Sequence, residues 1–262
     1  MLRFGMPTLI ENRSPADCAQ LCAQLGLSFI ELNMNLPDYQ LHRMNVDKLK
    51  ALGQEHGLYY TIHLDENFNP CDFNPEIARA YNTTAEGTID IAARLGAPVV
   101  NMHLSRGVYF TLPDERVYLY DRYRDDYLRG MVCFRDTCGP RAADAGVTIC
   151  VENSDGYTDF QREALDLLLE HPAFALTYDV GHDHAIDGTD RPIITERSAR
   201  LRHMHLHDAA GTKNHLALGT GELDIDTCLR LADEHDCRVV LETKTIDGLR
   251  RSADWLRERD LL

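Results

Sequence analysis

Residues 202–208 read RHMHLHD, and alternate positions in that run are His203, His205 and His207. On a β-strand, alternate positions share one face. Three other apolar runs end on a carboxylate. In VTICVEN Glu152 shares a face with Cys150, in FALTYDV Asp179 shares one with Thr177, and in RVVLET Glu242 shares one with Val240. Two more runs end on imidazole: His63 alternates with Thr61 and Asp65, and His103 with Val99 and Asn101. Carboxylates driven together in an apolar interior repel one another or take up protons, at a cost of several kcal/mol each. A divalent cation removes that conflict, because carboxylates and imidazole together are an ordinary ligand set.

These side chains converge only if their strands are parallel neighbours. Four times a helical pattern closes on glycine and an apolar run follows at once: AQLG-LSFIEL, QEHG-LYYTIHL, ARLG-APVVNMHL and ADAG-VTICVEN. Glycine past a helix end is the usual stop, since it enters the left-handed region without a Cβ penalty. Continued along the chain, the alternation predicts strands near 3–10, 28–34, 59–65, 98–104, 147–153, 174–180, 201–207 and 238–243. Helices are expected near 15–25, 45–56, 75–95, 115–145 (broken), 160–170, 191–200, 225–235 and 246–259. Eight β/α units in 262 residues fit an α/β protein of (β/α)8 TIM-barrel type. The rival, a doubly wound open sheet, lacks its glycine-rich fingerprint in the first turn, GMPTLIENRSP. No Gly/Ser linker divides the chain, so a single domain over 1–262 is expected. In a barrel, strand ends at the C-terminal face carry the chemistry. Six of the eight expected strands end on inward Glu, Asp or His, a concentration that core packing does not explain.

Composition narrows the partners. The formal net charge of −15 gives no overall drive toward nucleic acid or an anionic membrane. No apolar run approaches the ~20 residues of a membrane span. The start, MLRFGMPTLIENR, has no signal-peptide pattern, so a cytoplasmic location is expected. The eight cysteines contain no C-x-x-C pair and are expected as free thiols, with Cys18 and Cys22 packed inward one helical turn apart.

In chain order stand HLD after the third strand, NMHLSRG after the fourth, CVENSDG after the fifth and YDVGHDHA after the sixth. HMHLHD follows at the seventh, NHLALGTGELD in the next loop and VVLET at the eighth. In this order the chain resembles the xylose-isomerase-like TIM barrels, the superfamily of sugar phosphate isomerases and epimerases, inosose dehydratases and endonuclease IV. The resemblance implies one divalent cation, Mn²⁺, Mg²⁺, Co²⁺ or Zn²⁺, held by Glu152, Asp179, His205 and Glu242. It implies a carbohydrate substrate, isomerised or epimerised through a metal-stabilised enediolate, with Glu152 and Glu242 as general base and acid. His182 would then bind a substrate hydroxyl. His63, His103 and His215 would contact hydroxyls or phosphate, or hold further Zn²⁺ together with His182. Parity alone does not choose among the three histidines of the seventh strand. Depth and resemblance make His205 the ligand, His203 a hydrogen-bonded core residue a layer lower, and His207 a substrate contact or support, with Asp208 at the rim.

The cation that epimerases place after the seventh strand has only Lys213 as its candidate here. The alternatives are a lyase or dehydratase acting on a polyol ketone, and an endonuclease IV-like zinc hydrolase of abasic DNA. The nuclease pattern recruits His63, His103, Glu152, Asp179, His182, His205, His215 and Glu242, but it requires aspartate where this chain has Lys213. Residues 106–113 are expected as a lid over the mouth, with Tyr109 or Phe110 on a sugar face, and DENFNPCDFNP as a second selecting loop. Gly219 and Gly221 are placed where backbone could approach substrate. Barrels of this group often pair, which leaves a homo-oligomer open.

Overall fold

Eight short runs of alternating side chains supply the strands: β1 (Arg3–Pro7), β2 (Phe29–Asn33), β3 (Tyr59–His63), β4 (Val99–His103), β5 (Thr148–Glu152), β6 (Phe174–Asp179), β7 (Leu201–Leu206) and β8 (Arg238–Leu241). In the computed structural model, which describes residues 2–262, they close into one parallel barrel in sequence order, with β1 paired to both β2 and β8. The helices are α1 (Pro15–Gln24), α2 (Val46–His56), α3 (Pro75–Leu95), α4 (Arg124–Ala145), α5 (Asp159–Leu169), α6 (Arg191–Glu196), α7 (Ile225–Glu234) and α8 (Ile246–Arg257). Side-chain oxygens of Ser14, Asn45, Asn74, Asp224 and Thr245 accept the first free N–H groups of their helices. Gly57, Gly96 and Gly146 end α2, α3 and α4 at φ 67°, 71° and 67°, as the glycine-terminated pattern requires. No helix among the described residues is long and apolar enough to cross a membrane.

Side chains alternate between a helix-covered outer face and the barrel lumen. Outward residues such as Ile30, Ile62, Met102, Val151, Met204 and Leu241 join one large apolar cluster with the helices. Inside the lumen, Val99, Cys150 and Ala175 form a small apolar floor. The polar layer above it starts with Glu31, Thr61, Asn101, Thr177 and His203, all buried. Where β1 pairs with the start of β2, a Cβ on Gly5 would lie 2.5 Å from the fully buried Phe29 ring. Gly5→Ala therefore overpacks a closed space and should destabilise the protein by about 1–3 kcal/mol. An unchanged urea midpoint would contradict this.

All eight cysteines are free, and Cys18 and Cys22 are buried. Several expected boundaries need correction. The first and last strands stop at Pro7 and Leu241 rather than near 10 and 243, although the N–H groups of Thr8 and Glu242 still donate to the carbonyls of Glu31 and Leu206 at 2.9 and 3.1 Å. The helix expected from 115 begins instead as a hairpin, Tyr109–Thr111 against Arg116–Tyr118. The helical part then breaks at Tyr123 (φ −116°, ψ 50°) between Leu119–Arg122 and α4. The helix expected over 191–200 ends at Glu196, followed by a 3-10 turn over Ser198–Arg200. After β6 a six-residue helix, Val180–Ala185, starts directly on Asp179 as its N-cap. After β7 a second hairpin forms, Asp208–Ala210 against Lys213–Leu216.

Candidate metal centre

The closed parallel barrel carries the expected ligands to one point. Asp179 pairs with His205 across β6 and β7, His103 pairs with Glu152 across β4 and β5, and Glu242 follows β8. One ligand atom each from Glu152, Asp179, His205 and Glu242 lies within 4.8 Å of all the others. Nδ1 of His205 is 3.1 Å from Glu152 Oε1, 3.2 Å from Glu242 Oε2 and 3.9 Å from Asp179 Oδ2. His205 Nδ1 and Nε2 and Glu242 Oε2 are buried atoms with no hydrogen-bond partner among the described residues, although Nε2 lies 2.8 Å from Glu31 Oε1 as an ion-pair contact. Three carboxylates, one imidazole nitrogen and unmatched polar atoms at their meeting point fit a divalent cation with mainly oxygen ligands.

Each carboxylate has one oxygen fixed and one turned toward this point. Asn101 Nδ2 donates to Glu152 Oε2, and Asn101 Oδ1 accepts from Thr177 Oγ1 at 2.6 Å. Nε2 of both His63 and His103 lies 3.2 Å from the same Glu152 oxygen. Lys244 Nζ donates to Glu242 Oε1 at 2.9 Å. Asp179 Oδ1 caps the helix after β6 by accepting from the His182 N–H at 2.7 Å. Burial alone would raise the Glu152 and Glu242 carboxyls, but His205 beside both, helped by His103 and Lys244 respectively, holds them well below the usual range. Burial would lower His205, and Glu152, Glu31 and Glu242 instead raise it well above an ordinary imidazole. Burial likewise works against His63, yet Glu152 raises it to about 9.

Above the cluster opens a cleft of about 470 Å³, lined by Glu152, Glu242, His63, His103, His182, His215, Arg106 and Lys244 among others. His215 sits at φ 56°, and its Nε2 is 3.3 Å from His182 Nε2. Burial, with His207 nearby, pushes its imidazole down to about 4. A family model described as xylose isomerase-like TIM barrel matches residues 19–259. The chain belongs to the xylose isomerase-like TIM barrels. A D-tagatose 3-epimerase-like protein superposes with TM-score 0.81 at 20% identity, over 99% of this chain and 98% of that one. An AP endonuclease of family 2 from Brucella melitensis gives 0.75 at 16%, over 98% and 99%. An IolI protein with a bound zinc atom gives 0.73 at 16%, over 99% and 98%. At such identities the likeness establishes the fold alone. No curated protein matches the chain.

In this xylose isomerase-like barrel the expected ligands meet, and His63, His103, His182 and His215 line the cleft above them. His207 does not join them at the surface. It is fully buried; its Nδ1 accepts from the His215 N–H at 2.7 Å, so Nε2 carries the proton that points to Asp179 Oδ1 at 3.1 Å. His207 is therefore placed behind Asp179 and away from the cleft, the supporting position rather than the substrate contact of its two expected roles. Lys213 is exposed on the second hairpin and does not line the cleft; the cation beside the cluster is Lys244. Extending the inward parity of Glu242 by two residues would have found it. Asp208 is buried rather than at the rim, where it accepts from the N–H groups of Gly221 and Leu223 at 2.8 and 3.1 Å.

The close approaches at Gly219 and Gly221 are to the protein itself. A Cβ there would meet Trp255 Nε1 at 2.3 Å and Ala209 O at 2.2 Å respectively. Tyr109 and Phe110 are 45% and 56% exposed and do not line the cleft. Arg106, at the base of their hairpin, does line it, and its guanidinium donates to the carbonyls of Asp155 and Gly156. From the loop after β3, Glu66 alone lines the cleft. Glu31 escaped the sequence reading altogether, although Phe29, Glu31 and Asn33 share the inward parity.

Proposed function

We propose that this chain is a divalent-metal-dependent isomerase or epimerase of a sugar or sugar phosphate. The observation that carries the reading is that Glu152 and Glu242 border both the four-ligand cluster and the cleft, each with one oxygen fixed by a neighbour. A cation held by Glu152, Asp179, His205 and Glu242 would supply Lewis acidity to a substrate carbonyl and its neighbouring hydroxyl. Asn101 and Lys244 hold Glu152 and Glu242 in place beside the cluster, so these two carboxylates are the groups available to take a proton from a sugar carbon and return it. With the carbon between the two carboxylates, removal by one and return by the other inverts the centre. Return by the same carboxylate to the former carbonyl carbon, with the neighbouring hydroxyl's proton passing to the former carbonyl oxygen, isomerises instead. His63, His103, His182 and His215 offer imidazole nitrogens to sugar hydroxyls along the cleft wall.

A second reading has one observation in its favour: ligand atoms of His182, His207 and His215 also lie within 4.8 Å of each other, as a further zinc would require. Against it, both ring nitrogens of His207 are already engaged, and the net charge of −15 opposes a DNA backbone. Metal analysis, then incubation of the Mn²⁺-loaded protein with ketoses and ketose phosphates in D₂O, tests the proposal. The expected result is about one ion per chain and deuterium at the carbon beside the carbonyl. No incorporation from any ketose, with cleavage of an abasic duplex by the zinc-loaded protein, would replace it by phosphodiester hydrolysis.

Lys244 gives a smaller test of the same site. Lys244→Met should lower turnover by about ten-fold or more, because Glu242 loses the charge-assisted bond that fixes its outer oxygen. Turnover equal to the parent protein would show that Lys244 contributes nothing to the position of Glu242.

A further inference from the structure

Glu31 is a carboxylate 2% exposed in the middle of the barrel, one layer below the cluster and outside its ligand set. Its Oε2 accepts from Thr61 Oγ1 at 2.9 Å and lies 2.8 Å from His203 Nε2. Its Oε1 lies 2.8 Å from His205 Nε2. Beneath, the Phe29 ring stands 6.3 Å from that of His203 and stacks on Tyr59 at 5.1 Å, so the layer has an aromatic floor. A carboxylate so placed is costly unless its charge is matched.

The geometry has a directional consequence. An imidazole that keeps its Cβ–Cγ axis and turns by half a rotation exchanges Nδ1 with Cδ2 and Nε2 with Cε1. In the observed orientation Nε2 faces Glu31 and Nδ1 faces Glu152 and Glu242 at 3.1 and 3.2 Å. The turned ring would lose both contacts and put carbon at the ligand point. We infer that Glu31 is a positioning residue, which anchors Nε2 of His205 from below so that Nδ1 is the nitrogen presented to the metal cluster. A carboxylate behind a ligating histidine fixes its tautomer and raises its basicity, and loss of such a partner typically costs 10–100-fold in metal affinity. His203 and Thr61 orient the carboxylate in turn. The inference rests on the metal-centre reading and adds to it a residue from β2, a strand that supplies no ligand.

Mn²⁺ titration of the metal-stripped protein, with free Mn²⁺ followed by EPR, tests it without any substrate. The parent protein should bind about one Mn²⁺, Glu31→Gln should weaken binding by about 10–100-fold, and Glu31→Asp, which keeps the charge but withdraws it, should fall between. Circular dichroism of each stripped variant checks that it is folded, and Glu31→Asp carries the test if Glu31→Gln is not. A folded variant, Gln or Asp, with parental affinity overturns the inference. So do two Mn²⁺ per parental chain with one lost in Glu31→Gln, which would make Glu31 a ligand. No Mn²⁺ binding by the parent protein overturns the metal-centre reading itself.

Discussion

Glu152→Gln is expected to lower solvent-proton exchange at the sugar carbon by about 100- to 10,000-fold, the range that a positioned acid or base contributes. Glutamine keeps the volume but not the chemistry. Glu152 Oε2 accepts from Asn101 Nδ2 and faces Nε2 of both His63 and His103 at 3.2 Å, while Oε1 faces His205 Nδ1 at 3.1 Å. An amide has a single oxygen. If it stays on Asn101, its NH₂ points at the ligand cluster; if it turns to the cluster, the NH₂ meets the donor of Asn101. Either way the inner carboxylate oxygen is gone. Weakened metal binding would accompany the loss, so deuterium incorporation is to be followed by NMR at Mn²⁺ concentrations shown to saturate the variant. Parental incorporation under saturation would remove Glu152 from proton transfer, whatever its part in holding the ion.

The barrel and its ligand level were legible because strand periodicity is short and strict. Once Glu152, Asp179 and Glu242 were assigned to strand ends, the alternation fixed which face they occupied. Parallel register then brought Asp179 level with His205, and closure of the barrel brought Glu152 and Glu242 to the same point. Glycine stops marked the ends of α2, α3 and α4 for an equally local reason.

What escaped was set by distant contacts. Glu31 lies in LSFIEL, where one carboxylate in an apolar run looks like an edge; its partners Thr61, His203 and His205 are 30 to 174 residues further along the chain. The hairpin strands Asp208–Ala210 and Lys213–Leu216 are too short for periodicity to register, and their formation moved Lys213 away from the cleft. Burial of His207 depends on close backbone approach as well: a Cβ on Gly181 would lie 2.0 Å from its Cε1. No local pattern announces that Gly181 and His207 touch.

The stability of the metal-stripped protein should depend most on His205, the one imidazole that faces Glu31 on one side and Glu152, Asp179 and Glu242 on the other. His205→Leu nearly preserves volume but leaves these buried carboxylates without their shared counter-charge, a change worth about 3–5 kcal/mol when one partner of a buried pair is removed. The carboxylates' part of the pH dependence should also change sign. In the parent protein, the lowered Glu31, Glu152 and Glu242 contribute stability that is present above their unfolded value, near 4.5, and is lost as pH falls through the folded values. The raised His205 contributes stability that is full below its unfolded value, near 6.5, and is lost as pH rises toward the folded value. Both contributions are therefore complete between about pH 5 and 6. Without the imidazole, burial and mutual repulsion raise the carboxyls, the folded state binds more protons than the unfolded state, and stability climbs as pH falls from 7 toward 5. Urea unfolding of both EDTA-treated proteins at pH 5, 6 and 7 measures this. A variant that loses less than about 1 kcal/mol, or whose stability falls on acidification as steeply as it rises in this account, would show that His205 is not the charge that holds the carboxylates together.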